Sequence, residues 1–297
     1  MPTDLTSKTA TEATRCLYTL ALGQAADPHA AITTQIAHSP TLVLDSPSAA
    51  SDPVYPAVPP EERASARRTV EDAFRWCTTH FPVGTTSDVG GAGRPAVRNI
   101  DVRLTPPDIY LAASLAQMPG HILLGAPWPA DCTYRLASLI AHETIHQRLF
   151  GREEHDSPVR PGSLGYSPWR RETRPGRLVW HAFWTFSCQF SLLTVALCDT
   201  ETDALSEPSL LDFMATMPPR VEACFESLMQ FDVAEQQELD RCRDALSYVK
   251  LGAARLTALP RFAEKLQEER LKTASEYHEW ARLLLDGQES GPSSSPA

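Results

Sequence analysis

The sequence has no closely spaced cysteines: Cys16, Cys77, Cys132, Cys188, Cys198, Cys224 and Cys242 are odd in number and never closer than ten residues apart. Without a CxxC unit, a thiolate metal site and a redox dithiol are both disfavoured. The chain also lacks a basic start followed by an apolar run; its opening, MPTDLTSKTATEATR, is polar and rich in threonine. No signal peptide is expected, which implies a reducing cytoplasm and free thiols. Basic charge is scarce, with 27 Lys and Arg against 37 Asp and Glu and a net charge of −10. That balance argues against a nucleic-acid binder working through a broad basic surface. Long apolar runs are missing except for the 21 residues Leu178–Cys198. Their length would allow a membrane span. Yet the run contains His181, Thr185, Ser187, Gln189, Ser191 and Thr194, and nothing else looks membranous. A buried core helix is the expectation, with no membrane partner.

What is present suits a globular protein. Over 297 residues, 42% are hydrophobic and 22% charged, enough for a substantial core. Wholesale disorder, collagen and a small disulfide scaffold are excluded. Prolines number 25 against 14 glycines, so part of the chain is extended connector or loop. A helix is expected over about 11–26, then a connector over 39–60 carrying Pro40, Pro47, Pro53, Pro56, Pro59 and Pro60. Pro59-Pro60-Glu61-Glu62 opens a second helix through about His80, with proline and acids where a helix start favours them. The runs AVRNIDVRL, DIYLAAS and HILLG predict a small sheet. An amphipathic helix over 131–150 follows, then a long loop over 151–177 with six arginines against four acids. Further helices are expected near 208–229, 234–257 and 260–286. Residues 199–290 carry 19 acids and 10 bases, so most of the negative charge sits there. The fold class is α+β, mainly helical: a small β-sheet precedes a metal-binding helix, and a helical bundle closes the chain. Its organisation reads as an N-terminal helix and Pro-rich connector (1–60), one helix-rich catalytic domain (61–287) and a disordered tail (288–297).

The sharpest motif is His142-Glu143-Thr144-Ile145-His146, an HExxH sequence inside an apolar helix with Leu136, Leu139 and Ile140. Residues i and i+4 share a helix face, so His142 and His146 can reach one metal ion. Glu143 is rotated about 100° away and lies beside the metal rather than on it. In metallopeptidases this glutamate polarises a metal-bound water. Two histidines leave a metal site incomplete. Downstream donors are Glu153, Glu154, His155, Asp156, Glu172, His181, Asp199 and Glu201. Glu201 would make a thermolysin-like set, whereas His181 stands out as an ionisable group within the most apolar segment. The residues alone leave both open, and His181 is equally readable as a core histidine with a hydrogen-bonding partner.

The segments Tyr166-Ser167-Pro168-Trp169-Arg170-Arg171-Glu172-Thr173-Arg174-Pro175 and Leu178-Val179-Trp180-His181-Ala182-Phe183 carry a further pattern. With the HExxH helix they resemble the HExxH-motif enzymes of bacterial peptide natural-product clusters. There, an apWRxDpRP segment and a gllHgvyaF helix follow the metal helix. The resemblance spans roughly residues 108–200. It implies an Fe(II)- and 2-oxoglutarate-dependent oxygenase that hydroxylates a side chain, often at a β-carbon, in a peptide or amino-acid substrate. It further implies His142, His146 and His181 as metal ligands, and matches Arg170 and Arg174 to the two arginines of the loop motif. Glu172 stands where the family tends to have Asp, Thr173 replaces a proline, and Ala182 replaces the glycine after the third histidine.

Such chemistry needs three protein ligands on one face of the iron, leaving three positions open. The far carboxylate of 2-oxoglutarate needs a cation, best a planar bidentate one. Arg170 and Arg174 are the expected anchors; the plain alternative is a solvated basic loop. Glu143 would then orient a histidine or a water, whereas in a zinc metallopeptidase, the second reading of HETIH, it would be the general base.

Overall fold

The computed structural model describes residues 7–25, 40–44, 56–81, 97–105, 112–126, 133–198 and 208–289. Among the described residues about 70% are helical, in seven helices with a small sheet. The mainly helical α+β class is thus observed. The 288–297 tail beyond Glu289, and Cys132, Asp199 and Glu201, lie outside the described residues.

Helix α1 (Ser7–Ala21) lies against the helical body, with Thr14 and Ser191 hydroxyls 2.8 Å apart. Strand β1 (Thr41–Val43) lies within the Pro-rich connector. Helix α2 (Pro60–His80) starts on proline and two glutamates, as its sequence dictates. Strands β2 (Asn99–Leu104), β3 (Ala112–Ser114) and β4 (His121–Ala126) complete a sheet of order β1-β2-β4-β3. The pairs β1–β2 and β2–β4 are parallel, while β3 runs antiparallel on the edge of β4. Ile100, Val102, Ile122 and Leu124 alternate along their strands and are all buried, giving the sheet its apolar face.

Helix α3 (Thr133–Asp156) follows the sheet directly. Leu136, Ala137, Ile140, Ala141, Ile145 and Leu149 recur at helical spacing and form its buried stripe. It runs six residues beyond the expected end, so Glu153 is helical rather than in a loop. The supposed loop after it contains a hairpin, β5 (Leu164–Ser167) and β6 (Glu172–Pro175). The hairpin turn places Arg171 at a φ of 56°. Gly176 opens α4 (Gly176–Cys198) where a β-carbon would collide with Ser163 Oγ and Val233, so glycine is required there by close packing.

Helix α4 is buried on nearly every side, packed by α1, α3, α5 (Pro208–Gln230) and α6 (Gln236–Leu256). It is long and apolar enough to cross a membrane, but most of its surface is covered by protein. A closing helix, α7 (Pro260–Glu289), lies along α5. The helix and sheet set thus presents α3 and α4 side by side, with the edge strand β3 beside α3.

Candidate metal centre

His142 and His146 sit one turn apart on α3, with ring centroids 4.9 Å apart. His181 comes from α4, its ring 5.1 Å from that of His146 and nearly parallel to it, at 25°. The Nδ1 atoms of His146 and His181 approach to 2.9 Å. The structure therefore brings together the three histidines singled out in the sequence. Among the described residues no group of three or more His, Cys, Asp or Glu side chains is arranged, as it stands, to hold a metal ion.

The proton on His142 can be traced through its neighbours. Ser138 Oγ donates to the Arg135 carbonyl at 2.7 Å. Gln189 Nε2 donates to that Ser138 oxygen at 3.0 Å, which turns the Gln189 carbonyl toward His142. The 3.0 Å contact between Gln189 Oε1 and His142 Nδ1 then requires an N–H on Nδ1. A neutral imidazole carries one proton, so Nε2 of His142 presents a lone pair. Burial lowers the His142 pKa to about 4, against the opposing effect of the Gln189 hydrogen bond. Burial likewise lowers His146, helped by its histidine neighbours, and lowers His181 despite the nearby carboxylate of Glu153. All three are neutral imidazoles at neutral pH, the form that binds metal.

Glu143 is only 3% exposed, and its Oε2 accepts a hydrogen bond from Ser114 on β3 at 2.8 Å. Burial pushes its carboxyl up to about 7, partly offset by that hydroxyl. One turn on, Gln147 accepts from the Gly120 N–H at 3.2 Å and donates to the His121 carbonyl at 3.1 Å. Glu143 and Gln147 thereby fasten the β3–β4 connection to the HExxH helix. Neither Ser114, Gln147 nor Gln189 was marked by the sequence, because each acts through a partner at least 26 residues away.

The aromatic residues of the hairpin and α4 join this site. Trp169, in the β5–β6 turn, stacks on Phe186 at 3.7 Å between ring centroids, and Phe186 meets the His142 ring edge-on at 4.7 Å. The turn thus packs against the histidine helices through one intervening ring. Arg170 is exposed in that turn, and Arg174 pairs with Glu172 at 3.5 Å. Neither arginine forms an ion pair or hydrogen bond with the histidines, although both are carried by the hairpin that Trp169 anchors. Glu154, His155 and Asp156 lie toward the outer end of α3, whereas Glu153 Oε1 lies 3.4 Å from His181 Nε2.

A buried ionic cluster stands behind His181. Glu238, 1% exposed, accepts from Trp180 Nε1 at 2.7 Å and from Trp184 Nε1 at 3.0 Å. Arg152 of α3 grips the same carboxylate with two nitrogens, at 3.1 and 2.7 Å, and Arg241 adds a third cationic bond at 3.1 Å. Burial alone would raise the Glu238 pKa, but these donors hold it below the usual carboxylate range. The cluster links α3, α4 and α6 immediately beside the third histidine.

No protein-family model matches the chain, and a search of curated proteins finds no significant match.

Proposed function

We propose that the chain is a non-haem Fe(II)- and 2-oxoglutarate-dependent oxygenase. In this reading it hydroxylates, at a β-carbon, an amino-acid side chain in a peptide or small-molecule natural-product precursor, in the cytoplasm. The observation that carries the reading is the convergence of His142 and His146 from α3 with His181 from α4, as neutral and largely dry imidazoles. Nδ1 of His146 and Nδ1 of His181 lie 2.9 Å apart, two imidazole donor atoms facing each other across the pairing of α3 with α4.

The donor set therefore fits a metal, and His142, His146 and His181 would hold it. When bound, iron with 2-oxoglutarate and O₂ supplies an oxidant able to replace an unactivated C–H by C–OH, with succinate and CO₂ as the other products. The chain's part is positioning and shielding. Gln189 holds the His142 proton away from the centre, while Trp169 and Phe186 form an apolar wall beside it. Arg174 and Arg170 are proposed for the far carboxylate of 2-oxoglutarate. The part-exposed pair Arg174–Glu172 is worth only about 0–1 kcal/mol, so exchanging Glu172 for a ligand is cheap.

One observation favours a second reading, a zinc metallopeptidase. Glu143 lies next to His142 on α3 with its pKa near 7, which suits a general base. The test is to purify the protein without oxygen, load it with Fe(II) or Zn(II), and measure succinate formed from 2-oxoglutarate under air. The oxygenase reading expects succinate with Fe(II) only. Peptide cleavage by the Zn(II) form, with no succinate from the Fe(II) form, would overturn it.

A further inference from the structure

The ring of His181 is 1% exposed, and both of its nitrogens face protein. Its Nδ1 points at Nδ1 of His146 at 2.9 Å. Its Nε2 is buried without a hydrogen-bond partner. Buried polar atoms are rarely left so, and the ones that are need an explanation. The acceptor within reach is Glu153, whose Oε1 stands 3.4 Å away, too far and too poorly aligned for a hydrogen bond as placed. Glu153 lies seven residues after His146, two turns along the same face of α3. Its side chain is 17% exposed and its other oxygen is 3.9 Å from Arg177, so it has room to close the gap.

We infer that Glu153 is the positioning residue for His181: it accepts the proton on Nε2 and so fixes the imidazole with its Nδ1 lone pair toward His146. The alternative tautomer would set an Nε2 lone pair against a carboxylate in a dry site, two acceptors with no proton between them. It would also aim the Nδ1 proton at His146, occupying the nitrogen that a metal would use. With the proton on Nε2, the one proton between the two Nδ1 atoms of the metal-free protein comes from His146. This inference rests on the metal-centre reading for its purpose, but not for its geometry.

The experiment uses the full, metal-free chain with ¹⁵N-labelled histidine. Long-range ¹H–¹⁵N spectra report which ring nitrogen carries the proton, and the His181 signals are assigned by their loss in His181→Gln. His181 is expected to be protonated at Nε2 in the wild type and to lose that preference in Glu153→Ala. Titration with Co(II) should then show binding weakened about 10- to 100-fold in Glu153→Ala, the usual scale for a partner one step behind a ligand. Glu153→Gln, whose carbonyl still accepts a proton, should recover most of the affinity. A wild-type His181 protonated at Nδ1 overturns the inference, as does Glu153→Ala with unchanged tautomer and affinity. A Gln variant no better than Ala also counts against it. Should Glu153→Ala fail to fold, the wild-type spectrum alone decides. A wild type that shows the Nε2 proton yet binds no metal sinks the metal-centre reading and leaves the Glu153 assignment standing.

Discussion

Glu143 is the residue on which the two chemical readings diverge, and its burial makes a prediction independent of activity. Its carboxyl titrates near 7 in the folded protein, against about 4.3 for a free glutamate. Between those values the native state keeps a proton that the unfolded chain has released, so this residue's contribution makes stability fall as pH rises. The full effect is on the order of 3 kcal/mol. His142, His146 and His181 act oppositely: their lowered pKa values cost stability as pH falls below about 6.5. They are common to wild type and variant, so the comparison isolates the glutamate. Metal-free Glu143→Gln should gain stability over wild type as pH is raised from 5 to 8, read from urea midpoints at each pH. Parallel pH profiles for the two proteins would show that Glu143 is not held in a dry site.

Among the elements, the pairing of α3 with α4 matters most, and Glu238 binds it from behind. Removing one partner of a buried ion pair typically costs 3–5 kcal/mol, because the other charge is stranded. Glu238→Ala should lose about that much, since Arg152, Arg241 and two indole N–H groups lose their acceptor. Adding Arg152→Met should recover part of it, with the two indoles still unpaired. A loss below about 1 kcal/mol for Glu238→Ala in urea unfolding would contradict this role. Helices α2, α3 and α5–α7 were legible because apolar periodicity runs through each, and α2, α5 and α7 open on a proline. The hairpin β5–β6 was not: its strands have four residues each and a mixed Arg, Gly and Pro content, too short for alternation to register. Strand β1 was hidden likewise, as three residues whose partners, Asn99–Asp101, lie far along the chain. The hairpin carries a further expectation. Arg174→Leu, or failing that Arg170→Leu, should weaken 2-oxoglutarate binding by roughly 2–5 kcal/mol while leaving Fe(II) content unchanged. Unaltered 2-oxoglutarate affinity in both variants would remove the arginines from the site.

At the scale of the whole molecule, the mainly helical class was readable and the candidate site partly so. HExxH singled out His142 and His146 as candidates through helix geometry alone. The apolar surroundings of His181 marked it as unusual, and the folded chain brings it against His146. What the sequence could not supply were groups whose meaning exists only after folding. Ser114 is an ordinary edge-strand serine until it meets Glu143, and Gln189 an ordinary core amide until Ser138 sets its orientation. Glu238 was hidden in the acidic C-terminal half, where one buried carboxylate looks like its many exposed neighbours.

The most direct test compares wild type with Glu143→Gln, each supplied with Fe(II), 2-oxoglutarate, air and a panel of peptides. The oxygenase account predicts succinate formation and a product heavier by one oxygen in both proteins, the variant slower by at most about 10- to 100-fold, since the side chain acts behind the metal. A metallopeptidase would lose its general base, a contribution of about 10²- to 10⁴-fold. Peptide cleavage that is indifferent to O₂ and 2-oxoglutarate, and that vanishes in Glu143→Gln, would contradict the account.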